Sequence, residues 1–318
     1  MRALVTGGAG FIGSHLAARL VADGHEVRVL DNFATGRRSN IEAIGGDVEL
    51  VEGDIQSYER AHKAVRDCEI VFHQAALPSV PRSIQDPLTS NATNVIGTLN
   101  VLLAARDEGV RRVVCASSSS VYGANPTLPK REDMPAVPIS PYATAKLAGE
   151  GYCRSFGIGY GLETVALRYF NVFGARQDPT SQYAAVIPNF INALLVNQPV
   201  TIFGDGEQSR DFTHVDNVVQ ANLLAMDAAN VSGKVYNIAC GSKVTLNELV
   251  TELQELVGAD AETVYAPKRA GDVPHSLASL DRARAELGYE PKVDLREGLS
   301  RTIAHYREQR ASAALPTA

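Results

Sequence analysis

The sequence predicts an α/β fold, a doubly wound parallel sheet with a smaller interleaved C-terminal α/β lobe. Two observations predict it. In the first half, short β-branched runs alternate with longer helical patterns at the spacing of repeated βαβ units. After about residue 170 that rhythm breaks at Pro179, Pro188, Pro199 and a glycine-rich stretch at 203–207.

Strands are expected at 3–5, 26–30, 47–52, 69–73, 111–116 and 163–168, with helices at 14–23, 57–65, 91–108 and 142–156. The first four strands are short and almost wholly apolar, as a sheet covered by helices on both faces requires. Further helices are expected at 184–197, 216–229, 246–257, 281–287 and 295–309. Residues 217–229 and 235–239 read as another helix and strand returning to the sheet. The expected division is 1–170, with about 214–240 rejoining it, and 171–318. The small, polar tail at 310–318 is expected to fray.

Composition narrows the function. The 318 residues are 45% hydrophobic and 21% charged, enough to bury a core without metals or disulfides. The net charge of −6, without long like-charge runs, points away from nucleic acid and anionic membranes. No run of about 18 apolar residues is present, and the opening MRALVTGG reads as strand and turn rather than a secretory leader. Cys68, Cys115, Cys153 and Cys240 are widely spaced without a CxxC pair. They read as reduced thiols of a cytoplasmic protein, with no metal site.

The first strand runs into Thr6-Gly7-Gly8-Ala9-Gly10-Phe11-Ile12-Gly13 and then a helix. In this GxxGxxG turn one glycine bends the chain, one admits a pyrophosphate and one lets helix and strand pack closely. The helix start offers free N–H groups to the anion. Asp31 ends the second strand, where a carboxylate takes the adenosine ribose hydroxyls. Together these predict a Rossmann dinucleotide site for NAD, although Arg37 and Arg38 stand close enough to leave a 2′-phosphate open. Asp54, after the third strand, could reach the adenine or cap its own loop.

Tyr142 and Lys146 lie four apart in SPYATAK (140–146). Pro141 marks a first helical turn, and residues i and i+4 share a helix face. A phenol with an ordinary pKa of about 10 must be lowered by about three units, about 4 kcal/mol, to act as a base near neutrality. A neighbouring ammonium and a cationic nicotinamide would do this by charge attraction. Upstream, Ser117, Ser118, Ser119 and Ser120 end a strand at the edge where ligands bind parallel sheets.

These pieces, with LRYFNVFG (167–174), resemble the extended short-chain dehydrogenase/reductase family over essentially the whole chain. Within it the sequence is similar to nucleotide-sugar 4-epimerases, most of all bacterial UDP-N-acetylglucosamine 4-epimerases. That likeness rests on segments 73–86, 176–179, 183–188, 204–212 and 271–276. The resemblance implies Tyr142 as base and acid, Lys146 as its pKa-lowering partner, and Ser118 as the hydroxyl on the sugar O4. It implies cofactor contacts from Gly7, Gly10, Phe11, Ile12, Gly13, Asp31, Asn32, Gly36, Asp54, Ile55, Gln74, Ala75, Ala76, Asn94 and Tyr169. For the nucleotide sugar it implies Ser79, Ser119, Ser120, Asn171, Gln177, Ala185, Val186, Thr201, Phe203, Arg210, Arg269, Asp272 and Ser276. Asn171, Arg210 and Arg269 would hold the diphosphate, a fitting task for guanidinium groups. Phe203 would lie near the uracil and Asp272 would reach the ribose. Pro78 departs from the glycine or lysine of many relatives and withdraws a cation from the cofactor pyrophosphate. Ser276 leaves room for an N-acetyl group on the sugar, without imposing one.

The implied reaction is NAD-dependent 4-epimerisation of a UDP-hexose through a transient 4-keto sugar, in a homodimer packed through two helices. A 4,6-dehydratase would use an acidic pair where Ser119 and Ser120 stand. A UDP-glucuronate epimerase or decarboxylase is the nearer alternative. A catalytically silent NAD-binding scaffold is the rival from another class.

Overall fold

The computed structural model describes residues 1–178, 185–268 and 273–314. Six strands come from residues 2–169: β1 (Arg2–Thr6), β2 (Glu26–Asp31), β3 (Val48–Glu52), β4 (Ile70–His73), β5 (Arg112–Ser118) and β6 (Glu163–Tyr169). With the strand Lys234–Ile238 they form a seven-stranded parallel sheet in the order Lys234–Ile238, β6, β5, β4, β1, β2, β3. The winding reverses between β1 and β4, which opens a crevice at the carboxyl ends of those strands.

Alternation along the strands builds a core on each face. Val5, Leu16, Leu20, Val29, Phe72 and Leu167 pack on one side. Leu4, Leu30, Val71, Leu102, Val113 and Phe156 pack on the other. The covering helices include α1 (Phe11–Ala22), α2 (Arg38–Glu42), α3 (Tyr58–Val65), α4 (Val80–Gln85), α5 (Pro87–Asn91), α6 (Gly97–Asp107) and α7 (Pro141–Tyr160). A third core gathers Phe173, Phe190, Ile202, Leu249, Leu253 and Leu299. It is built by α8 (Val186–Leu194), α10 (Leu246–Val257) and α12 (Leu295–Ala314), beside the paired strands Val200–Phe203 and Thr263–Ala266. Helix α9 (Val215–Asp227) leads back to the main sheet, and α11 (Asp281–Leu287) packs near its edge strand.

Three boundaries differ from expectation. The helix expected over 91–108 is broken by a π turn at Ala92–Ile96. Helix α7 continues to Tyr160 and stops where Gly161 adopts φ 71°, the left-handed cap that glycine favours. The tail expected to fray from 310 instead remains helical to Ala314.

His73 ends β4 with Nδ1 2.8 Å from Thr6 Oγ1 and Nε2 2.9 Å from Thr98 Oγ1. Burial pushes its pKa down to about 3 and that of His15 to about 4. Both rings are neutral when folded, while in the unfolded chain they titrate at about 6.5. The unfolded chain therefore binds more protons between these values, and their contribution to stability fades as pH falls through that window. The urea midpoint is expected to drop steadily from pH 6.5 to 4; an equal midpoint at pH 6.5 and 4.5 contradicts this.

Candidate active site

The glycine turn is shaped for close approach. Gly7 has φ 70°, and a Cβ there would stand 2.7 Å from the Ala75 backbone. A Cβ on Gly13 would stand 2.1 Å from the Gly7 carbonyl oxygen. Gly10 is the N-cap of α1 and no side chain caps that helix, so the first-turn amides of Phe11, Ile12 and Gly13 have no intrahelical partner. This uncapped start beside a turn that excludes side chains fits a pyrophosphate.

Asp31 is 7% exposed at the end of β2. Its oxygens accept from Ala9 N at 2.9 Å and Phe33 N at 2.8 Å, and Gly36 lies against it. The two neighbouring arginines are already paired. Arg37 meets Asp178 at 2.8 Å, and Arg38 pairs with Glu52 while lying over the Phe33 ring. Neither guanidinium is held open for a 2′-phosphate, which favours NAD.

Several residues expected at the cofactor also bond or pack within the protein. Asp54 accepts from Gln56 N and from Asn32 Nδ2, each at 2.8 Å. The Ile55 side chain belongs to the core and packs on Gly97. Asn94, inside the π turn, bonds both the N–H and the carbonyl of Leu77, at 2.8 and 3.1 Å. It thereby fixes the loop that carries Ala75 and Ala76 past Gly7. Gln74, Tyr169 and Asn222 share one network, with Gln74 Nε2 3.1 Å from the Tyr169 hydroxyl. These side chains buttress the crevice.

Helix α7 sets the second cluster. Ser140 caps it by accepting from Ala143 N at 3.2 Å, with Pro141 in its first turn. The Tyr142 N–H donates to Ser83 Oγ at 3.1 Å, which ties α7 to α4. Lys146 Nζ lies 6.0 Å from the Tyr142 ring centroid and donates to the Ala116 carbonyl at 2.9 Å. Burial raises the Tyr142 pKa, and the Ser118 hydroxyl beside it pulls the other way. Burial lowers that of Lys146 to about 8. Ser118 accepts from Ser120 N and Ser120 Oγ at 3.2 and 2.9 Å, while Ser119 opens the short turn after β5. A phenol, an amine and a hydroxyl thus meet at the carboxyl edge of the sheet.

Beyond β6 the chain turns sharply. Ser118 stands opposite Tyr169 in register, so Asn171 follows beside the serine run. Asn171 has φ 35° and Ser79, which caps α4, has φ 115°. Such strain in residues other than glycine gathers where function constrains the backbone. Asn171 Nδ2 donates to the Asp211 carbonyl at 3.1 Å. Arg210 donates to the carbonyls of Ser209 and Pro274 at 2.9 and 3.2 Å, and Ser276 N donates to the Ser209 carbonyl at 3.0 Å. Asn171, Arg210 and Ser276 therefore share one corner. Thr201 and Phe203 lie on the strand Val200–Phe203, Ala185 and Val186 open α8, and Gln177 donates to the Val172 carbonyl at 3.2 Å. Arg269 and Asp272 lie outside the described residues.

The sequence reading missed Asp211, buried behind Arg210. Its carboxylate accepts from the N–H groups of Cys240, Gly241 and Ala278 at 3.0 to 3.1 Å. Burial pushes its pKa up to about 6, against those donors. An acid at the centre of RDFT, between the arginine and a buried phenylalanine, is the only signal the sequence offered. Asp211 clamps three segments around the Arg210 corner.

Comparison with known proteins places the chain and its fold among NAD-dependent epimerases. The chain is 41% identical over 317 residues to a UDP-glucose 4-epimerase of Mycolicibacterium smegmatis, covering 97% of this chain and 99% of the relative. The crystal structure of a Thermotoga maritima UDP-glucose 4-epimerase with UDP-glucose superposes with a TM-score of 0.93 at 41% identity, covering 98% of this chain and 100% of that one. A UDP-N-acetylglucosamine 4-epimerase of Methanobrevibacter ruminantium, in complex with UDP-N-acetylmuramic acid, gives a TM-score of 0.93 at 39% identity over 97% and 98% of the two chains. With residues 3–239 matching the family described as "Epimerase: NAD dependent epimerase/dehydratase family", the chain belongs to that family and takes NAD as its cofactor.

Proposed function

We propose that the protein interconverts UDP-hexoses at C4, acting on both plain and N-acetylated sugars. The observation that supports this most is the convergence of Tyr142, Lys146 and Ser118 at the edge of the sheet, beside the corner of Asn171, Arg210 and Ser276. The likeness to both a UDP-glucose and a UDP-N-acetylglucosamine epimerase supports the breadth of substrate.

When bound, NAD supplies the oxidant that takes a hydride from the sugar C4 and gives it back. The uncapped start of α1 would hold its pyrophosphate, and Asp31 its adenosine ribose. Tyr142 removes the O4 proton and later returns it, with Ser118 hydrogen-bonded to the same oxygen. Lys146 stabilises the phenolate by its charge. Arg210 and Asn171 hold the diphosphate while the 4-keto hexose turns within the site. Strong binding at the nucleotide end and weak binding of the sugar allow that turn. Small Ser276 leaves room for a 2-acetamido group.

The same reading includes a homodimer. Ile84, Leu88, Ile96 and Ile158 are exposed on α4, α5, the π turn and α7, a surface on which a second copy would dock by two-fold symmetry. Among the described residues no helix is long and apolar enough to cross a membrane.

The test is separate incubation with UDP-Glc, UDP-Gal, UDP-GlcNAc, UDP-GalNAc and UDP-glucuronate, with products followed by NMR. Conversion of the four neutral sugars to their C4 epimers is expected. Exclusive turnover of the glucuronate, loss of its carboxyl group, a 4-keto-6-deoxy product or no reaction at all would refute the proposal.

A further inference from the structure

One buried carboxylate beside the site has no part in the scheme above. Glu150 follows Lys146 by four residues on α7, so the two share a helix face. Its oxygens accept from Ser117 Oγ at 2.5 Å, Arg168 Nε at 2.8 Å and Arg168 Nη2 at 2.7 Å. Both side chains of this pair are 5% exposed, and the guanidinium lies 4.7 Å from the Tyr122 ring centroid. A buried pair of this kind is a poor source of stability, since apolar residues of similar volume commonly do as well or better. Its placement therefore calls for another reason.

That reason lies in a small internal cavity walled by both Lys146 and Glu150. His73 faces the cavity from β4 and is neutral, held between two threonine hydroxyls. Asn94 and Thr98, from the π turn and α6, carry no charge. From β5 come the Ala116 carbonyl that accepts the Lys146 amine and the Cys115 thiol. On α7, Tyr142 stands beside the amine, and Cys153, close to Cys115, has its pKa raised. Arg168, on β6, does not line the cavity. Among the described residues Glu150 is the one carboxylate on this wall.

We infer that Glu150 is a positioning residue: pinned by Arg168 and Ser117, it keeps the Lys146 amine protonated and fixes the end of β5 against α7. The end of β5 carries Ser118 and α7 carries Tyr142, so one carboxylate sets both the charge and the spacing of the three reacting groups. Burial lowers the Lys146 pKa to about 8; the Cys115 and Cys153 thiols oppose the fall, and after them Glu150, the one carboxylate among the three. The consequence for turnover rests on the 4-epimerase reading; the effect on the amine does not.

The experiment therefore reads the amine directly. Lys146 is titrated by NMR in ¹³C-lysine-labelled protein without substrate, with its signal assigned by comparison with Lys146→Met. Wild type is compared with Glu150→Gln and with Glu150→Leu/Arg168→Met, which removes the pair together. A downward shift of the Lys146 midpoint is expected in Glu150→Gln, with a smaller one in the double variant. In turnover, the alkaline limb of the kcat profile moves down in pH by the same amount while KM stays within a few-fold. An unchanged midpoint in either folded variant, or a wild-type Lys146 already neutral at pH 7, overturns the inference. Failure of both variants to fold overturns it too, by assigning Glu150 to the fold. A shifted midpoint in a protein that turns over no UDP-sugar leaves the inference standing and removes the 4-epimerase reading instead.

Discussion

Tyr142→Phe is expected to lower the rate of UDP-sugar epimerisation by about 10²–10⁴-fold, with the dissociation constant for the UDP-sugar changed by no more than a few-fold. The argument separates what the ring does from what its oxygen does. The backbone N–H of Tyr142, bonded to Ser83 Oγ at 3.1 Å, secures the start of α7 and is untouched by the substitution. The aromatic ring keeps its volume, so α7 and α4 remain packed. Only the oxygen beside Ser118 is lost. Ser118 cannot take over, because a serine hydroxyl is too weak an acid to cycle a proton near neutrality, and its oxygen already accepts from Ser120 N and Ser120 Oγ. Binding survives because the nucleotide end is expected to be held at Asn171 and Arg210, in a different corner. Rates by NMR and affinities by calorimetry check the two halves separately. Turnover within ten-fold of wild type would remove Tyr142 as the base, and a large loss of affinity would show that its oxygen mainly holds substrate.

What the sequence made legible was the part encoded locally. A glycine turn between strand and helix, a tyrosine and lysine four apart behind a serine–proline start, and serines ending a strand each need only a few neighbouring residues to be recognised. What it hid depends on contacts between distant segments. Residues 91–108 carry a continuous helical pattern, and nothing in their composition marks the π turn at Ala92–Ile96. That turn moves Asn94 onto the loop at Leu77. The bond from Asn32 to Asp54 joins the ends of two strands and leaves no local signal in the sequence. Glu150 and Arg168 pair across a helix and a strand, and a charged residue on the buried side of α7 was their only trace in the sequence. The two-residue strands that hold Arg210 beside Val244, and Thr213 beside Val172, are too short for any periodicity to show.

Lys146→Met separates function from stability most sharply. In the ligand-free protein Lys146 is partly buried and the loss of solvation lowers its pKa to about 8, whereas in an unfolded chain a lysine titrates near 10.4. A lysine with a lowered folded pKa costs the fold stability at all pH values below that folded pKa. The cost is relieved as pH rises from about 8 to about 10.5, where the unfolded chain still binds the proton and the folded one has released it. Methionine fills nearly the same space without a charge. At pH 7 the variant is therefore expected to be more stable than wild type by about 1–3 kcal/mol, part of the gain being offset by loss of the bond to the Ala116 carbonyl. The advantage should shrink above pH 8 and be nearly gone at pH 10.5. Turnover should move the opposite way, falling by at least about 10²-fold because the phenolate loses its cationic partner. Urea unfolding at pH 7 and 10, beside epimerisation rates, measures both. A variant that is less stable at pH 7 would mean that the amine is well solvated before the cofactor binds. A variant that keeps its activity would mean that Tyr142 reaches its working pKa without the lysine.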